Sequence, residues 1–206
     1  MYSYVMEFNL GPRSAETQEY LADVARTWPK LWGDIPGVTG TLFLCSAFGL
    51  GGEFEFQWRV DFDALATLAR IDEAQKSSSG GWPKSRQAWF SARKTVRAYV
   101  SRHIGGDEAY CRYQKGKEAA IHLIFHSPSG ESGRPASRLK ALKSAGVVSA
   151  QALEPVMGSS SSHNQTWMRL QNLESLNNVA AVKLGAGHGQ LFGEIREVGG
   201  TFFVGA

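Results

Sequence analysis

The chain has 206 residues, 43% apolar and 20% charged, with six Trp and eleven Phe, enough for a sizeable core in one large domain or two small ones. A net charge of +3, spread along the chain, is too small to argue for a nucleic-acid partner, and no apolar run approaches the roughly 20 residues of a membrane span. Residues 1–14 lack the pattern of a signal peptide, and two cysteines without paired spacing argue against a disulfide scaffold or a Cys-based zinc site and fit a reducing cytoplasm.

In chain order, YSYVMEFNL reads as a strand. ETQEYLADVARTWPKLW carries apolar residues at 20, 21, 24, 28, 31 and 32, which is helical spacing, and Pro29 is expected to kink or end that helix. VTGTLFLCS is a strand, FGLGG a turn and EFEFQWRVDF an alternating strand. DALATLARI starts a second helix that resumes at RQAWFSARK, and TVRAYVSRHI is a fourth strand. The polar stretch 73–87 between these helical pieces reads either as a lid over a site or as a disordered surface loop. The second half repeats the order with AAIHLIFHS, RPASRLKALKSA, VVSAQALEP, HNQTWMRLQN, LESLNNVAAVKL and GTFFVGA.

The repeat also shows in direct alignment. IPGVTGTLFLCS lies over SAGVVSAQALEP at an offset of 109, and QWRVDF over WMRLQN at an offset of 110, pairing Arg59 with Arg169. Each half therefore reads βαββαβ, the ferredoxin-like unit, with 1–106 as the first repeat, 107–118 as a linker and 119–206 as the second. MGSSSS then occupies the hairpin turn of the second repeat, where FGLGG stands in the first.

Helices cover one face of such a sheet, so period-two alternation sorts the side chains. Phe54, Phe56, Trp58 and Val60 fall under the helices. The far face collects Glu7, Asn9, Thr41, Phe43, Gln57, Arg59, Tyr99, His122, Ile124, His126, His163, Trp167 and Arg169. A solvent face rarely carries Trp167 and Phe43, and a plain core rarely carries so many unpaired charges. A mixed polar and aromatic concave face is what ligand sites present.

Two βαββαβ units facing sheet to sheet resemble the dimeric α/β barrel superfamily, here as a fused pair. Its members include antibiotic-biosynthesis monooxygenases, polyketide cyclases, muconolactone isomerases and the chlorite dismutase group. The resemblance rests on element order and covers nearly the whole chain. It implies an α+β fold and a hydrophobic or aromatic small-molecule ligand, in a protein that is a monomer or homodimer. It does not by itself name a reaction.

The chemistry-bearing residues fit cofactor-free acid–base work, either oxygenation or cyclisation and isomerisation. His126 or His122 is the candidate base, with Glu7 nearby, and Arg59 and Arg169 are candidates to hold a phenolate or enolate. Structurally, either Arg could instead pair with Glu7, Glu55 or Asp61. Asn9, Gln57, Tyr99, Trp167 and His163 are candidate substrate contacts. His163 is expected near His126, or else at a solvent-exposed turn. His122 and His126 share a face about 13 Å apart, too far to ligate one ion, and no metal is expected. The resemblance raises two alternatives: a haem protein of the chlorite dismutase or haem-degrading type, with His188 as its axial ligand, and a non-enzymatic small-molecule-binding module. GAGHGQ follows a helical stretch instead of a strand, so it is no dinucleotide loop.

Overall fold

A computed structural model describes residues 1–12, 14–47, 49–112, 121–128, 142–158, 163–181 and 192–198. The elements are β1 (Tyr2–Leu10), α1 (Ala15–Gly33), β2 (Val38–Ser46), β3 (Phe56–Phe62), α2 (Thr67–Lys76), α3 (Trp82–Ala92), β4 (Arg93–Gly106), β5 (Ile121–Pro128), β6 (Val147–Gly158), β7 (His163–Leu170), α4 (Ser175–Ala181) and β8 (Phe192–Val198). The strands close into one barrel in the order β1-β3-β2-β8-β5-β7-β6-β4, and every neighbouring pair is antiparallel. The first four strands run β4-β1-β3-β2 and the last four β8-β5-β7-β6. The two sets join through β4–β6 and β2–β8.

α1 shows how the local sequence sets an element. The Ser14 hydroxyl accepts the Thr17 backbone N–H at 3.2 Å, Glu16 sits in the first turn and Lys30 in the last, each matching the helix dipole. Leu21, Val24, Trp28 and Trp32 form its buried stripe. The helix does not stop at Pro29 but runs on to Gly33. Pro29 lies on the exposed side, and Trp28 and Trp32 anchor the turns on both sides of it, which offsets the lost backbone bond.

Three apolar clusters organise the interior. One joins α1 to the outer face of β1, β3 and β2, with Met6, Phe8, Phe43, Phe56 and Trp58 at its centre. A second fills the barrel with Val5, Leu42, Leu44, Tyr99, Tyr110, Ile124, Leu153 and Trp167. The third packs Leu123, Leu142, Met168, Leu170 and Val179 outside β5–β7.

Several expectations change. Phe43 belongs to the helix-side cluster, and Thr41, two residues away on the same face, goes with it; Leu42 and Leu44 are the residues of β2 that point inward. The 73–87 stretch is mostly helical: α2 continues to Lys76, α3 begins at Trp82, and only 77–81 breaks them. The strand that closes the barrel is FGEIREV, 192–198, which pairs with both β5 and β2. GTFFVGA, the linker from 113, most of RPASRLKALKSA, the serines of MGSSSS beyond Gly158 and His188 lie outside the described residues.

Gly37 and Gly146 stand just before β2 and β6. Both have positive φ, 95° and 90°. A Cβ on Gly37 would meet Thr67 Oγ1 at 2.5 Å, and one on Gly146 would meet Ser175 Oγ at 2.7 Å. Each glycine carbonyl accepts the backbone N–H of the residue just past the neighbouring strand, Asp63 at 3.0 Å and Gln171 at 3.1 Å. Only a glycine combines that backbone with that close approach.

Candidate functional site

Two regions concentrate chemistry. The first is the barrel interior. Alternation on β1, β3, β5 and β7 brings Glu7, Gln57, Arg59, Asp61, His122, His126, Gln165, Trp167 and Arg169 inside, and all are buried. Glu7 accepts Gln57 Nε2 at 3.0 Å and Arg97 Nε at 2.7 Å. Tyr99 accepts Gln165 Nε2 at 2.7 Å, and Trp167 Nε1 donates to Gln165 Oε1 at 3.0 Å. Burial pushes the Tyr99 hydroxyl well above its usual value, which keeps it neutral.

Arg59 grips Asp61 in a two-pronged ion pair, Nε to Oδ1 at 2.8 Å and Nη2 to Oδ2 at 3.1 Å. Its guanidinium also donates to Gln151 and lies 4.5 Å from the Trp167 ring centroid and 5.2 Å from that of Tyr110. Ser3 donates to Asp61 at 2.6 Å. Burial raises the Asp61 carboxyl, but Arg59 and His103 more than offset it and hold it well below the usual range. His122 Nδ1 shares a 2.8 Å hydrogen bond with Tyr110 OH. Burial, then the neighbouring Arg59 charge, push its pKa down to about 3. Arg169 donates to the Tyr110 carbonyl, with its guanidinium 5.1 Å from the Tyr110 ring centroid.

His126 bonds Glu194 Oε1 at 3.0 Å, and Arg196 Nε donates to Glu194 Oε2 at 2.8 Å. Burial raises Glu194, but His126 and Arg196 bring it below its ordinary value. The carboxylate beside His126 thus comes from β8. His163, half-buried, starts β7 opposite Pro128, while His126 lies opposite Gln165. Asn9 ties down the approach to β3. It accepts the Glu55 N–H at 2.8 Å and donates to the Glu53 carbonyl at 3.2 Å and to Thr95 Oγ1 at 3.0 Å.

The second region lies on the opposite side of β1 and β4, under α1, α2 and α3. It is a cleft of about 370 Å³ whose walls include Tyr4, Trp28, Trp32, Trp82, Trp89 and Phe90. That volume suits a small planar molecule. α1 supplies Trp28 and Trp32 one turn apart, and α3 supplies Trp82, Trp89 and Phe90. Trp28 meets Trp89 edge-on at 5.7 Å and donates its indole N–H to Ser85 at 2.9 Å, which holds α3 against α1. Trp32 is 2% exposed, and its indole N–H has no partner among the described residues. Asp72, Lys76, Arg86 and Arg93 mark the polar rim. In sequence Trp28 and Trp32 show only as part of a helical apolar spacing, and Trp82 lies within the polar 73–87 stretch.

No protein-family model matches the chain, and no curated protein matches it. Solved structures do. A candidate monooxygenase from Fusobacterium nucleatum subsp. nucleatum matches with a TM-score of 0.61 at 10% identity, over 96% of this chain and 91% of that one. An anthrone oxidase-like protein matches at 0.54 and 8%, over 96% and 90%. A chlorite dismutase from Candidatus Nitrospira defluvii matches at 0.54 and 9%, over 98% and 93%. The fold is that of the dimeric α+β barrels. Here a single chain closes the barrel.

Haem is the group that the chlorite dismutase match raises, and among the described residues no histidine lines the aromatic cleft. His103, His122 and His126 all bond neighbouring side chains inside the barrel, and His163 lies on the same inward face of β7 as Gln165 and Trp167. His188 lies outside the described residues. Among the described residues no group of three or more His, Cys, Asp or Glu could hold a metal ion, and no helix is long and apolar enough to cross a membrane.

Proposed function

We propose that this chain is a small-molecule enzyme that oxygenates, cyclises or isomerises an aromatic or polyketide-like substrate without an organic cofactor, and that the tryptophan-walled cleft seats the substrate. The observation that carries the reading is the cleft: six aromatic side chains around about 370 Å³, rimmed by two arginines, a lysine and one carboxylate. Aromatic walls hold a flat ring, and rim cations favour its ionised form. Asp72, paired with Lys76 at 2.7 Å, is the carboxylate among the described lining residues. Two of the matched structures, the candidate monooxygenase and the anthrone oxidase-like protein, point the same way by name. The test is tryptophan emission and oxygen uptake during titration with anthrone-type and naphthol-type compounds. Saturable quenching and turnover are expected, with binding weakened about tenfold or more in Trp89→Ala. Absence of both would reject the reading.

A second reading keeps the chemistry inside the barrel. The 3.0 Å pair between His126 and Glu194 favours it. There His126 or His122 is the base, Glu7 assists, Arg59 and Arg169 hold the anion, and Asn9, Gln57, Tyr99, Trp167 and His163 contact substrate. Loss of turnover by about a hundredfold in His126→Ala, with Trp89→Ala unimpaired, would select it.

The same proposal takes the chain as two ferredoxin-like units, 1–106 and 119–206, joined by 107–118. The matched strand orders and the paired roles of Gly37 and Gly146 support it. A cytoplasmic monomer or homodimer is part of the same proposal, and a chain with two cysteines and no paired spacing fits a reducing compartment.

A further inference from the structure

The aromatic cleft does not end at its own walls. Trp82 and Ser85 line it and also line a second, more open cleft of about 820 Å³ between α1 and the 77–81 link. The link is the serine- and glycine-rich part of the 73–87 stretch, and Ser77, Ser79, Gly80 and Gly81 form one wall of that space.

The charges around the joined clefts are unbalanced. Lys76, Arg86 and Arg93 line the first against Asp72 alone, and Arg26, Lys30 and Lys84 line the second against Asp23 and Asp34. Six cations against three acids is an excess of +3, equal to the net charge of the whole chain. Two of the acids are already paired, Asp72 with Lys76 at 2.7 Å and Asp23 with Arg26 at 2.8 Å. Arg86 donates to the Gln75 carbonyl at 2.6 Å, and Arg93 stacks 4.2 Å over Phe90; neither contact neutralises the guanidinium. A buried indole N–H in the aromatic wall, that of Trp32, also has no acceptor among the described residues.

We infer that the ligand of the cleft is an aromatic anion, a planar ring system carrying a carboxylate, sulfonate or ionised phenol. The ring lies among Trp28, Trp82 and Trp89, and the charged group lies toward Arg86 and Arg93. A neutral aromatic would leave the rim cations uncompensated, and a cationic one would be repelled. This inference rests on the cleft being the substrate site.

The experiment titrates the full chain with 2-naphthoate, 2-naphthamide and 2-naphthylmethylamine, read by tryptophan emission and calorimetry at low and high salt. Naphthoate is expected to bind about tenfold tighter than the amide, and the amine weakest. The advantage shrinks with salt and disappears in the double variant Arg86→Gln, Arg93→Gln, where the acid and the amide bind alike, and an unchanged circular dichroism spectrum and melting curve report an intact fold. Equal binding of acid and amide overturns the inference while leaving the cleft as an aromatic site. So does an advantage that survives in the double variant. Failure of all three compounds to bind overturns the cleft reading, and the inference with it.

Discussion

Replacing Asp61 by Asn removes one charge and almost no volume from the centre of the barrel. Arg59 then loses its two-pronged partner while remaining 0% exposed. Its remaining described contacts are Gln151 and the rings of Trp167 and Tyr110, none of them anionic. Stripping the partner from a buried ion pair costs about 3–5 kcal/mol. For a chain of this length each kcal/mol lowers the melting temperature by about 2–4 °C, so a fall of about 6–20 °C is expected. Thermal and urea unfolding followed by circular dichroism would measure it. The paired change Arg59→Met with Asp61→Leu restores at least half of the loss, since the cost lies in the orphaned charge and not in the missing contact. The pH profile carries the same signature. Asp61 is depressed in the folded protein, so its contribution is present above the ordinary carboxylate value of about 4 and is lost as pH falls below it toward the folded value. Asp61→Asn therefore flattens the acid limb of the stability curve. A loss under about 1 kcal/mol, or an unchanged acid limb, would refute the reasoning.

Other expectations are equally direct. Gly37→Ala and Gly146→Ala should each destabilise by about 1–3 kcal/mol from the positive φ alone, and denaturant midpoints measure it. Ser85→Ala removes the acceptor of the Trp28 indole and should cost about 1–3 kcal/mol, with a shift in tryptophan emission. His122 should stay neutral from pH 8 down to pH 5, because its folded pKa is pushed down to about 3; imidazole NMR would show it titrating, if the reasoning fails, near its ordinary value. The unfolded chain takes up that proton near pH 6.5, so His122 lowers stability as pH drops from there toward 3.

The inward faces of β1, β3, β5 and β7 were legible because each alternates polar with apolar residues. Glu7, Gln57, Arg59, His122, His126, Trp167 and Arg169 all lie where period two puts them. β2 was not legible in the same way. LFLC is apolar on both faces, and Thr41, the polar residue just before it, shares the helix-side face with Phe43, so both were assigned to the wrong side. β8 was hidden by its own chemistry. Glu194 and Arg196 interrupt any apolar run there, and the partners that allow their burial, His126 and the carbonyls of Gly51 and Phe54, are far away in sequence. The cleft was hidden for a related reason. Its walls come from α1 and α3, and helical spacing identifies a buried stripe without saying what lies opposite.

Two joints close the barrel. β4 and β6 meet along seven residue pairs, from Tyr99↔Gly158 to Gly106↔Gln151. Among the described residues β2 and β8 meet along three, Leu44↔Val198, Cys45↔Glu197 and Ser46↔Arg196. The seven rungs between β4 and β6 tie the first four strands to the last four. Amide protons on them should exchange with solvent only when the barrel itself comes apart, and hydrogen exchange measures it.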